Sequence, residues 1–113
     1  MLKLYLLSVT VADEKGILDE NSFKELVDPR LQCLHHLKGA FDKRDTSVVF
    51  HKPQQDVSQG WYAKGSVAVS IGKQRAEYLL KLYEDIVQLI SLTLPDLTVA
   101  AQTQVLEFSD EKS

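Results

Sequence analysis

Residues Lys73–Thr93, KQRAEYLLKLYEDIVQLISLT, carry the cleanest period in the sequence. Ala76, Leu79, Leu80, Tyr83, Ile86, Val87 and Ile90 recur at the i, i+3, i+4, i+7 spacing of one helical face. Lys73, Arg75, Glu77, Lys81, Glu84 and Gln88 fall largely on the other side. An amphipathic helix of this kind has to lay its stripe on something. Segments of strand character flank it, 61–71 before and 97–108 after, so a sheet containing those strands is the expected partner.

Length and composition bound what that sheet can belong to. The chain has 113 residues, 44% of them apolar and 26% charged, which are the proportions of an ordinary globular protein without low-complexity tracts or repeats. A chain of this size buries roughly 60 to 70% of its unfolded surface, enough for one core, so residues 1–108 read as a single domain and 109–113, SDEKS, as a disordered tail. The net charge of −3 and the sequence pI near 5.5 argue against broad electrostatic capture of nucleic acid or anionic membrane. The single Cys33 forms no internal disulfide and has no cysteine partners for a structural zinc site. The opening MLKLYLLSVTVADEK has features of a secretory leader, one lysine, a short apolar run and Thr10-Val11-Ala12 as a cleavage-like site, but its Val, Leu and Tyr content suits a buried first strand. No segment approaches the ~20 apolar residues of a membrane span, and a cytoplasmic protein is the expectation.

Outward from the long helix, the other elements follow from period and punctuation. A first strand over 2–11 changes the parity of its apolar residues, from Leu2, Leu4 and Leu6 to Leu7, Val9 and Val11, so it is either buried on both faces or bulged near Leu6. After a polar connection around Gly16, Asn21 or Ser22 is placed to cap a helix, with Glu25 answering Ser22 in a capping box. Phe23, Leu26, Val27, Leu34, Leu37 and Phe41 form its stripe. Pro29 predicts a kink or break there, with Asp28 capping a second segment that starts at Pro29. After a turn over 42–45, residues 46–51 (TSVVFH) read as a short strand, 52–60 (KPQQDVSQG) as a polar loop, and 61–71 as a strand of strict period two. Gly72 ends that strand and Pro95 ends the long helix.

The resulting order, β-α-β-β-α-β, predicts an α+β, ferredoxin-like fold: a four-stranded antiparallel sheet with two helices on one face. The other sheet face is then uncovered. If Trp61, Val67, Val69 and Ile71 point at the helices, Tyr62, Lys64, Ser66, Ala68 and Ser70 line the open face, an interface candidate whose expected occupant is a second copy of the chain.

Ser22-Phe23-Lys24, then Leu34, Leu37 and Phe41, Ser47-Val48, Gln55-Asp56 and the Val67 to Ser70 run before the second helix resemble the small bacterial YlxP-like family, domain of unknown function 503. The Lys-Arg pair that follows the helix start in that family is replaced here by Glu25 and its neighbours. The resemblance implies a ferredoxin-like fold, no established enzymatic activity, and an association with translation or the ribosome.

Candidate chemistry is sparse. His35 and His36 are adjacent on a helix and point about 100° apart, so they cannot share a metal, and Cys33 with His36 is a two-residue set at best. No metal site and no cofactor are expected. His51 with Asp56 and Ser58 has triad residue types without a nucleophile turn or oxyanion donors. Lys64-Gly65-Ser66 begins like an RNA-recognition strand, but Ser66 and Ala68 stand where stacking aromatics belong. Trp61 reads as a core or interface anchor. The expected function is therefore a non-enzymatic binding or assembly protein, a homodimer acting through its open sheet face and hairpin loop. The alternatives are a small enzyme or ligand-binding domain with a pocket near 52–60, using His51, Gln55, Asp56 and Trp61, and an interaction protein of phage or toxin-immunity type.

Overall fold

The sheet is laid around β1 (Leu2–Ala12), which pairs antiparallel with β3 (Gly60–Gly72) on one side and β4 (Thr98–Glu107) on the other. β2 (Thr46–Asp56) continues the sheet beyond β3, giving the order β2-β3-β1-β4. Between β1 and β2 run α1 (Glu20–Leu31), a 3₁₀ turn at Gln32–Leu34 and α2 (His35–Ala40); between β3 and β4 runs α3 (Lys73–Thr93). This is the ferredoxin-like arrangement expected from the element order. The computed structural model describes residues 2–40, 46–58 and 60–107. The expectations for Phe41, the 42–45 turn, Phe108 and the 109–113 tail lie outside the described residues.

One core sits between the helices and one face of the sheet. Tyr5, Leu7, Val9 and Val11 of β1 and Ala63, Val67, Val69 and Ile71 of β3 meet Phe23, Val27, Leu31, Leu34 and Leu37 from the first helical connection. Ala76, Leu79, Tyr83, Ile86 and Ile90 of α3 complete it, as the helical period requires, with Leu80 and Val87 packed at its margin. β1 runs against β3 residue for residue, Leu2↔Gly72 to Ala12↔Tyr62. The bulge offered near Leu6 is absent. The parity change instead sends Leu4 and Leu6 to the face away from the helices, where each is half-buried.

Three expectations are corrected. α1 begins two to three residues earlier than a cap at Asn21 or Ser22 suggested: Asp19, in extended conformation, is the N-cap, and its carboxylate accepts the Ser22 N–H at 2.8 Å. Pro29 does not break the helix, which runs through it to Leu31 before tightening at Gln32–Leu34. A proline in a helix interior costs about 3 kcal/mol. Here it falls in the last turn, and Phe23, Val27, Leu31 and Leu34 each bury fully or nearly so for roughly 1.5 to 3 kcal/mol apiece, so burial wins. Leu26, by contrast, is exposed and outside the stripe.

The third correction concerns residues 52–60. β2 does not stop at His51 but continues to Asp56, with a register shift between His51 and Gln54. Pro53 sits in that irregularity, on an edge strand, where its missing N–H takes nothing from the ladder. The polar residues are thus strand, and the loop shrinks to a tight turn. Asp56 Oδ1 accepts the Ser58 N–H at 3.0 Å and the chain re-enters β3 through Gly60 at φ +68°. A Cβ on Gly60 would lie 2.2 Å from the carbonyl oxygen of Asp13, so that position excludes any side chain on two counts.

Asp13 closes the same end of the sheet. It is fully buried, its N–H donates to the Trp61 carbonyl at 2.8 Å, and its carboxylate accepts the N–H groups of Ile17 at 3.3 Å and Leu18 at 2.8 Å. The β1–α1 connection is therefore folded around one carboxylate.

Candidate interaction surface

Period two places Tyr62, Lys64, Ser66, Ala68 and Ser70 on the helix-free side of β3, and pairing with β1, β2 and β4 turns them into rows across the sheet. One row reads Gln104, Leu6, Ala68, Ser47; the next reads Gln102, Ser8, Ser66, Val49; a third reads Ala100, Thr10, Lys64, His51. Leu106, Leu4 and Ser70 form a fourth. Ser8 and Ser66 leave the middle low. The result is a shallow depression of about 430 Å³ lined by Leu6, Ser8, Val49, Ser66, Ala68 and Gln102 among others. Lys64 carries the only fixed charge in these rows.

Chemically this surface is suited to contact rather than to reaction. Its side chains are small, apolar or neutral hydrogen-bonding groups, and small residues let another backbone come close. Sequence reasoning found the β3 contribution but missed Leu4, Leu6, Gln102 and Gln104. The signal for them was there in the first half of the β1 parity change and in the period-two glutamines of β4.

The hairpin candidates do not form one site. His51 lies at the bulge and lines two small hollows, one of about 330 Å³ with Lys24, Asp28, Gln32, Phe50 and Pro53, and one of about 140 Å³ with Gln54, Tyr62 and Lys64. Gln55 pairs with Trp61 further along, and Trp61 packs against the core from the helix side. Asp56 is at the turn, where it also accepts the Ser58 hydroxyl at 3.3 Å. Asp56 lies five positions along the strand from His51, about 15 Å, so these residue types do not converge as a triad. Tyr62 donates its hydroxyl to Gln54 Oε1 at 2.9 Å.

Among the described residues no cluster of three His, Cys, Asp or Glu side chains is placed to hold a metal. Cys33 is half-buried with its sulfur 3.8 Å from the Pro29 carbonyl, and the His35 ring stands tilted against Phe50 with centroids 5.1 Å apart. No described helix is long and apolar enough to cross a membrane.

No protein-family model matches the sequence, and no curated protein matches it. Solved structures do resemble the fold. A dimeric ferredoxin-like protein from an uncultured marine organism superposes with a TM-score of 0.58 at 5% identity, covering 96% of this chain and 99% of that one. A hydantoinase/carbamoylase family amidase from Burkholderia ambifaria gives 0.58 at 10% identity, covering 91% of this chain and 27% of the amidase. The aminopeptidase PepT from Bacillus cereus gives 0.55 at 7% identity, covering 96% and 32% respectively. The chain thus spans about a third or less of these two enzymes. Likeness at such identities establishes the ferredoxin-like fold and nothing finer.

Proposed function

We propose that this protein is a binding or assembly module whose working surface is the helix-free face of its sheet, and that a second copy of the chain covers that face. The observation that carries the reading is the composition of the four rows, with Leu4, Leu6, Val49, Ala68 and Leu106 partly exposed among serines and glutamines and with a single fixed charge. A flat, nearly uncharged surface of small side chains packs on its own copy without bringing like charges together except at Lys64. The marine ferredoxin-like protein of matching length is described as dimeric, which supports the same reading here.

Recognition of RNA has less support: Lys64 is alone, and Tyr62 is the one aromatic on the β3 part of the face and is already bonded to Gln54. A ribosome-associated role rests on the YlxP-like resemblance alone. A ligand-binding reading retains the two hollows beside His51, of about 330 and 140 Å³, the first at the lower end of the size range of ligand pockets and the second below it.

Sedimentation of Ala68→Glu tests the proposal. Ala68 stands between Leu6 and Ser47 in its row, so a glutamate there is desolvated without a partner when the face is covered. The mass of the assembly should fall by half with the far-ultraviolet signal unchanged, and Lys24→Ala should change neither mass nor signal. An unchanged mass sinks the reading.

A further inference from the structure

The two edges of the sheet are finished differently. β2 is interrupted by the register shift at His51 to Gln54, contains Pro53, and exposes Lys52 beside it, all features that discourage another strand from pairing. β4 has none of them. Its ten residues, TVAAQTQVLE, contain no proline and no lysine, pair with β1 without a shift, and are exposed from Ala100 to Glu107. The one charge, Glu107, is held by Lys3 at 3.0 Å, so the edge is close to neutral.

The Gln102 N–H donates to the Tyr83 hydroxyl at 3.1 Å, and that hydroxyl also reaches the Ser8 carbonyl on β1. Even-numbered residues of β4 therefore turn their peptide groups toward β1, and the odd-numbered ones, Val99, Ala101, Thr103, Val105 and Glu107, turn theirs outward. From these observations we infer that β4 pairs antiparallel with β4 of a second copy about a two-fold axis through Thr103, continuing the sheet to eight strands.

The register follows from the side chains. A two-fold normal to the sheet keeps each copy's faces, so only residues of like parity oppose one another. Centred on Thr103, the pairs are Ala101 with Val105, Ala100 with Leu106, Gln102 with Gln104, and Thr103 with itself, so that apolar meets apolar and polar meets polar. Glu107 stays at the rim beside Val99, still bound by Lys3. Centred on Gln102, Ala100 would face Gln104 and Leu106 would face Thr98, mixing the two kinds. The Thr103 register also pairs all five outward residues of each copy, about ten backbone hydrogen bonds in all.

This contact goes beyond the face-to-face reading and does not depend on it. The two axes are perpendicular, and where they intersect they generate a closed tetramer of two stacked eight-stranded sheets.

Sedimentation in the Ala68→Glu background isolates the edge. That chain should be a dimer; adding Thr103→Glu sets two carboxylates opposite each other and should halve the mass, as should Thr103→Lys. Mixing the Thr103→Glu and Thr103→Lys chains should restore the dimer. Without any substitution at 103, the Ala101, Thr103 and Val105 amides should exchange ~10-fold or more slowly at high protein concentration than at low, while those of Ala100, Gln102 and Gln104 stay protected throughout. If Ala68→Glu impairs folding, the same Thr103 pair in the otherwise unsubstituted chain gives the same halving and restoration. Mass indifferent to both Thr103 variants, or odd-numbered amides that ignore concentration, overturns the inference. Mass that falls with Thr103→Glu but not with Ala68→Glu leaves the edge standing and removes the face.

Discussion

The hydroxyl of Tyr83, on α3, accepts the backbone N–H of Gln102, on β4, at 3.1 Å and donates back across the strand pair to the carbonyl of Ser8. A helix side chain thus completes the ladder between β1 and β4 at the pair Ser8↔Gln102. Tyr83→Phe keeps the ring in the core but strands these backbone groups, and should lower unfolding free energy by about 1 to 3 kcal/mol, measured by urea denaturation. Burial holds the Tyr83 hydroxyl above its ordinary value of 10.0, against the pull of its hydrogen bonds. The native state therefore keeps this proton where the unfolded chain releases it, so the associated stability is present below pH 10 and is lost as pH rises through the higher native value. The phenylalanine variant should show a flatter alkaline limb.

Gly16 and Gly60 share almost the same backbone angle, φ +67° and +68°, but only Gly60 faces another backbone. Gly16→Ala should lose only the left-handed penalty, about 1 kcal/mol. Gly60→Ala adds a clash with the Asp13 carbonyl, which cannot move without opening the hydrogen bond it accepts from the Gly16 N–H, and should lose several times as much. Equal melting points for the two variants would show that the Asp13 carbonyl yields easily.

Asp13→Ala removes the acceptor of two backbone N–H groups at the end of the central strand. A loss of about 2 to 4 kcal/mol is expected, with faster amide exchange at Ile17 and Leu18 as the local signature.

Asp19 caps α1 through Ser22, and those hydrogen bonds, backbone first, hold its carboxyl below the ordinary 3.8. The sign follows directly: the cap's contribution is complete above pH 3.8 and fades as pH falls through the lower native value. Asparagine caps nearly as well, so Asp19→Asn should change little at neutral pH and should reduce the steepness of acid unfolding below pH 4. An unchanged acid limb would assign that limb to other carboxylates.

The sheet and its two helical connections were legible because Lys73–Thr93 and the strand over 61–71 each obey one period along their whole length. Where reading failed, a local signal was outvoted by packing. Pro29 announced a break, but Phe23, Val27, Leu31 and Leu34 needed one continuous stripe. The polar run after His51 looked like loop because an edge strand exposed on both sides needs no apolar alternation. Asp13 and the Tyr83 hydroxyl left no pattern at all, since each bonds to backbone, and backbone position is set by the fold. The open face was legible on β3 by parity alone. Its contributions from β1 and β4 depended on knowing which strands are neighbours.

The neighbours of β1 come late. Val9 is matched with Ala101, 92 positions further along the chain, and with Gly65 in between. On a ribosome adding about 5 to 20 residues each second, β1 is made several seconds before β3 and longer still before β4. Through that interval a strand carrying Leu4, Leu6, Leu7, Val9 and Val11 has neither edge occupied. Its apolar side chains are then exposed on both sides to any other nascent strand or chaperone. The same pairing that gives β1 a neighbour on each side in the finished sheet leaves it waiting, exposed, during synthesis.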